Sequence, residues 1–180
     1  MPPLDRPIHE AEFVALFHDL AGELRARGVT ETIVLAGGAY MTFLKLREAT
    51  ADADSITILS GQVKEAAAAV ADRHGLKPTW LNDNAAAFAP PGAAAEPTYT
   101  FFDDESLRIE GPHPDTVFLM KVAASRSATS DRSDAIALWR SCTFESTQAV
   151  VDRFYEAYPH EEFDPFFLDF VAGIAEQAAS

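Results

Sequence analysis

Cysteine is nearly absent: Cys142 is the only one in 180 residues. No intrachain disulfide can form, and such usage is expected of a reducing, cytoplasmic setting. Basic residues are also scarce, with 14 Lys and Arg against 28 Asp and Glu, for a net charge of −14. The imbalance grows along the chain: residues 1–90 hold 8 basic and 12 acidic groups, residues 91–180 hold 6 and 16. No basic run occurs. A protein that covers a long stretch of nucleic acid draws most of its affinity from neutralised phosphates, so an extended nucleic-acid interface is not expected. A short RNA end docked in a metal-lined cleft remains compatible with this charge. No apolar run is long enough to span a bilayer, so no membrane partner is expected. The opening MPPLDRPIHEAEF has neither a basic nor an apolar leader region, and no signal peptide is expected there.

Several chemistries lack their residues. The histidines, at 9, 18, 74, 113 and 160, show no HxxxH or HxH spacing, so no zinc site is expected. No G-x-S-x-G elbow is present. The one Gly-Gly pair, Gly37-Gly38, has no third glycine at the offset of a dinucleotide fingerprint and is not a Walker A loop. Cys142 has no histidine partner nearby in sequence and reads as a packing residue.

What is present begins with a hydrophobic content of 48%, enough for a folded core. Residues 1–9 read as a Pro-rich lead-in. Ala11–Arg27 predicts an amphipathic helix closed by Gly28. Thr32–Ala36 predicts a buried strand, Ala39–Glu48 a helix, and Ser55–Leu59 a second strand with Asp52 and Asp54 at its mouth. Ser60 and Gly75 bracket a helix over Gln62–His74. Lys77–Asp83 holds a short strand, Asn84–Phe88 a turn of helix, and Pro90–Pro97 a loop. Thr98–Phe102 and Leu107–Glu110 predict two strands. Helices follow over Asp115–Ala124, Arg132–Ser141, Ser146–Ala157 and Asp164–Ala178, the last with Phe166, Phe167, Phe170, Val171 and Ile174 as its apolar face. The reading is an α+β fold: a mixed sheet flanked by helices in an α/β core over residues 1–112, then a C-terminal helical part over 113–180 packed on that core.

The stretch Ile33–Ile58 carries the chemistry. A glycine pair lets backbone N–H groups approach a phosphate without interference from Cβ, and the following helix start favours an anion there. In extended chain, residues i and i+2 share a face, so Asp52 and Asp54 can aim at one divalent ion. Mg²⁺ takes one or two carboxylates together with substrate phosphates and water. The plain alternatives are an acidic solvated turn for the two aspartates, an exposed Arg47 and a turn Thr50.

The ordered set Gly37, Gly38, Arg47, Thr50, Asp52 and Asp54 resembles the signature of the nucleotidyltransferase superfamily (polymerase-β-like). The closer likeness is to the AbiEii-type toxin branch and related bacterial domains. It extends through Trp80-Leu81-Asn82-Asp83 to Leu107–Leu138. The resemblance implies a nucleotidyltransferase-like sheet, with Asp52 and Asp54 as catalytic metal ligands and Gly37, Gly38, Arg47 and Thr50 binding substrate. It also implies a catalytic lysine on a helix, here Lys121, and a downstream aspartate drawn from Ser125–Leu138. Arg126, Asp131 and Asp134 are the candidates in that segment, and Asp134 is preferred because it precedes the apolar run Ala135–Trp139. Glu110 is either a third carboxylate or a partner of Arg108. For Lys121 the plain alternative is an ammonium snorkelling at the edge of an apolar helix. The implied activity moves an NMP from an NTP, with Mg²⁺ or Mn²⁺, to an acceptor such as a tRNA 3′ end. The protein would then be a toxin with a cognate antitoxin partner. The rival readings are a non-catalytic interaction protein on a degenerate fold, and transfer to a protein or a small molecule such as an aminoglycoside.

Overall fold

The computed structural model describes residues 6–95, 97–125 and 129–180. The strands are β1 (Ile8–His9), β2 (Glu31–Ala36), β3 (Ala49–Thr50), β4 (Ala53–Ser55), β5 (Leu81–Asn82), β6 (Pro97–Asp103) and β7 (Leu107–Pro112). The helices are α1 (Glu10–Ala26), α2 (Gly37–Phe43), α3 (Gly61–His74), α4 (Pro114–Ser125), α5 (Thr129–Trp139), α6 (Thr147–Ala157) and α7 (Phe167–Ala179), with a 3₁₀ turn at Asn84–Phe88. The fold is α+β, built on a mixed five-stranded sheet. The chain divides into two compact units. One runs through Ala87 and resumes over Ala94–Pro112; the other combines Phe88–Ala93 with His113–Ser180.

The first unit holds the sheet, in the order β5-β4-β2-β7-β6. The central strand β2 runs parallel to β7 and antiparallel to β4. Its apolar run Ile33–Ala36 is buried throughout, as expected for a strand covered on both faces. The core is aromatic: Phe17 of α1 lies 6.1 Å from Phe43, 6.1 Å from Trp80 and 6.0 Å from Phe102, centroid to centroid. The indole N–H of Trp80 donates to the Ala67 carbonyl of α3 at 2.9 Å, which satisfies its one donor inside the core. The second unit holds α4 to α7. Phe118 packs against Trp139 at 5.5 Å, Phe154 against Phe167 at 4.6 Å, and the Arg132 guanidinium caps the Phe170 ring at 5.0 Å.

Four expected elements differ. The lead-in does not extend to residue 9, because Ile8 is fully buried and its strand pairs with β3, Ile8 opposite Thr50. The helix expected to reach Glu48 ends at Phe43. Lys45 adopts φ 61°, its N–H bonds the Thr42 carbonyl, and the Leu46 N–H reaches back to Met41 at 2.9 Å. This is a Schellman stop with lysine at the position where glycine usually signals it. The strand expected at Ser55–Leu59 forms earlier, over Ala53–Ser55, because the Ser55 hydroxyl takes the Thr57 N–H at 3.0 Å and turns the chain locally. Phe166 is 73% exposed rather than part of the last helix's apolar face, since α7 starts only at Phe167.

Candidate functional site

The sheet register decides what can meet. Asp54 lies opposite Ala36, and Glu110 lies opposite Val34, so both carboxylates stand on one face of the sheet. Asp52, immediately before β4, and Asp54 are both half-buried, while Ala53 between them is fully buried. Within β4, alternation puts Asp54 on the side away from Ala53, and Asp52 precedes the strand by one residue.

The glycine pair sits against three other residues of the motif. Gly37 has φ 64°, and a Cβ there would collide with Asp54 Oδ2 and come within 3.2 Å of its Cγ. A Cβ on Gly38 would collide with the Thr50 hydroxyl and lie 2.7 Å from Thr50 Cβ and 2.8 Å from Arg47 Nη1. Gly37, Gly38, Arg47, Thr50 and Asp54 therefore converge at the end of β2. Both glycines are needed by this chain's own side chains: the backbone must approach a carboxylate, a hydroxyl and a guanidinium closer than any β-carbon permits. Helix α2, with seven residues, starts at this point. Beside it opens a cavity of about 450 Å³ lined by His9, Glu10, Thr42, Lys45, Leu46, Arg47 and Glu48. Arg47 thus belongs to both the glycine contact and the cavity wall.

Glu110 is engaged. Its Oε1 receives Arg108 Nε at 2.8 Å, two residues away on the same strand face. The side chain is only 12% exposed, so the pair is more sheltered than an open surface pair. The segment Trp80–Asp83, whose role the sequence leaves open, is structural here. Asn82 caps the following 3₁₀ turn by accepting the Asn84 N–H at 2.9 Å. Asp83 accepts from Leu59 N–H and from Lys64, both at 3.0 Å. The Lys64 hydrogen bond, followed by the one from Leu59, holds the Asp83 carboxyl below its usual range.

In the second unit, Lys121 does not snorkel. Its Nζ donates to Asp131 Oδ1 and to Asp134 Oδ2, each at 2.8 Å, with side-chain exposures of 13% for the lysine, 22% for Asp131 and 9% for Asp134. Burial by itself pushes the ammonium's pKa down; the hydrogen bonds and the charges of the two carboxylates together more than reverse this and leave it raised. One lysine thus bridges both candidate aspartates, Asp131 and Asp134. Arg126 lies outside the described residues. Cys142 is half-buried, its thiol donates to the Leu138 carbonyl at 3.4 Å, and burial, with the neighbouring Asp115 carboxylate, pushes its pKa up.

Among the described residues, no cluster of three or more His, Cys, Asp or Glu forms a metal site. Two carboxylates, as in Asp52 and Asp54, are the chemical type of donor that an ion sharing its shell with phosphates and water would take. No helix among the described residues is long and apolar enough to cross a membrane. No protein-family model, no curated protein and no solved structure matches this chain.

Proposed function

We propose that this chain is a metal-dependent nucleotidyltransferase that moves an NMP from an NTP to an acceptor. The carrying observation is the convergence of five motif residues, spread from position 37 to 54, at the end of one buried strand. In this reading the sheet is a nucleotidyltransferase-like one. Asp52 and Asp54 would hold Mg²⁺ or Mn²⁺, which supplies charge neutralisation on the triphosphate. The chain's own residues position the substrate. Arg47, shared between the glycine contact and the cavity, orients a phosphate by a forked hydrogen bond. Thr50 and the Gly37-Gly38 backbone lie against that guanidinium and the Asp54 carboxylate. The resemblance adds Lys121 as a cation toward the nucleotide, Asp134 as the acceptor's base, a tRNA 3′ end as acceptor and an antitoxin as partner. A cytoplasmic location belongs to the same reading.

The test incubates the protein with each labelled NTP, Mg²⁺ or Mn²⁺, and total RNA, a protein mixture or an aminoglycoside. Label transfer that Asp54→Asn lowers by about 10²-fold or more supports the assignment. Two observations favour a non-catalytic interaction module instead: Glu110 is held by Arg108, and Lys121 is held by two carboxylates. Under that reading the wild type transfers nothing to any acceptor and shows no joint binding of Mn²⁺ and a triphosphate.

A further inference from the structure

The stretch from Pro159 to Asp169 is almost wholly exposed, yet it is not loosely held. The Tyr155 hydroxyl accepts the Asp164 N–H at 2.9 Å, the Asp164 carboxylate accepts the Phe166 N–H at 2.9 Å, and the Phe163 ring lies 5.9 Å from Tyr155. Pro159 and Pro165 restrict it further. This loop and the first turn of α7 present, within six residues, Phe163 at 76% exposure, Phe166 at 73% and Leu168 at 38%. Large apolar side chains pinned in water signal a contact surface when they lie close together on ordered backbone, because little entropy is lost when a partner covers them. The stretch itself is acidic, and the two cations of the preceding helix region that reach α7 are already engaged, Arg132 over the Phe170 ring and Arg140 Nε on the Ala178 carbonyl. Glu156, Glu161, Glu162, Asp164, Asp169 and Glu176 lie between Phe154 and Ser180, where no Lys or Arg occurs.

We infer that the Phe163–Phe166–Leu168 surface docks a cationic protein segment bearing aliphatic anchors, such as a lysine-rich amphipathic helix. The aromatics supply the apolar anchors and the carboxylates select the partner's charge. The same charge disfavours a second copy of this surface, an anionic lipid surface and nucleic acid, each of which brings negative charge against it. The inference is independent of the proposed transferase activity.

The experiment uses the full chain and a dye-labelled synthetic helix of leucine and lysine, with a leucine–glutamate helix as its counterpart. Fluorescence anisotropy is expected to give a Kd of roughly 10 µM for the first, weakening at least about tenfold in Phe163→Ser/Phe166→Ser, which keeps every charge. The second helix is expected not to bind. The double variant is expected to keep its fold, since both rings are exposed and the Tyr155–Asp164 and Asp164–Phe166 hydrogen bonds use neither ring. Equal affinity of wild type and double variant reduces the surface to bulk charge and overturns the inference. So does a failure of the lysine helix to bind, binding to phosphatidylserine vesicles that the double variant loses, or wild-type self-association in sedimentation velocity that it loses.

Discussion

Lys121→Met is the perturbation with the clearest sign. From sequence alone, removing an ammonium from an apolar helix is expected to cost little or even to help. The geometry reverses this. Methionine fills the space of the lysine stem but leaves Asp131 and Asp134 facing one another without the cation that each contacts at 2.8 Å. Removing one partner of a buried ion pair costs about 3–5 kcal/mol, because the remaining charge is stranded rather than because the pair was strong. Asp131 is 22% exposed and can turn toward water, so the lower end, about 3 kcal/mol, applies. In a chain of this length that corresponds to a Tm lower by roughly 6–12 °C. Thermal and urea melts at neutral pH read it directly. The deficit shrinks at high pH. The lysine's folded pKa is raised above its unfolded one, so its contribution is fully present below about 10.4 and is lost as pH rises through the folded value. Adding Asp131→Asn and Asp134→Asn to Lys121→Met is expected to recover most of the loss. A variant that melts within about 1 °C of the wild type at neutral pH refutes the reasoning, because by the same scaling it confines the triad's worth to a few tenths of a kcal/mol.

Gly38→Ala is expected to cost about 1–3 kcal/mol, because Thr50 and Arg47 must both retreat from the new methyl. Urea midpoints measure it, with Gly22→Ala in α1 as a control. Nothing lies within 4 Å of a Cβ there, and alanine is expected to stabilise the helix by about 0.5–1 kcal/mol. Cys142 is expected to react with a disulfide reagent at least about tenfold more slowly in the native chain than in urea, since burial holds its thiol protonated. A native rate equal to the unfolded one overturns that assignment.

Helix ends marked by residue type were legible. Gly28 and Gly75 both take φ 66° just past α1 and α3, and Ser60 and Ser146 accept the Val63 and Ala149 N–H groups at the starts of α3 and α6. The end of α2 was not legible, because Lys45 occupies the left-handed position with no glycine to announce it. The early stop of β4 was hidden for a related reason: serine and threonine hydroxyls replace the ladder by local bonds, and that choice depends on neighbouring strands. At the candidate site, spacing indicated that Asp52 and Asp54 share a side. It did not indicate that Asp54, Thr50 and Arg47 themselves fill the space that the two glycines leave. The odd lysine in VFLMKVAA was visible as an anomaly. Its solution was not, since one helix bonds two carboxylates that lie ten and thirteen positions further along.

Charge sets a further constraint on any phosphate chemistry here. The chain's few cations are largely committed to its own acids. Arg108 holds Glu110, Lys121 holds Asp131 and Asp134, Lys64 holds Asp83, Arg25 holds Asp104, and Arg27 and Arg73 both hold Glu23. With a net charge of −14, the surface repels a free triphosphate at long range. Under the transferase proposal, the nucleotide therefore arrives as its metal complex, whose lower negative charge reduces that repulsion. An RNA acceptor gains few phosphate contacts, and each neutralised phosphate contributes about 0.9 to the slope of log affinity against log salt for a duplex and about 0.7 for a single strand. Transfer to a short acceptor end should accordingly respond weakly to salt. A steep salt dependence demands that several Lys or Arg side chains turn from their own acids to the RNA, against the ion pairs seen among the described residues.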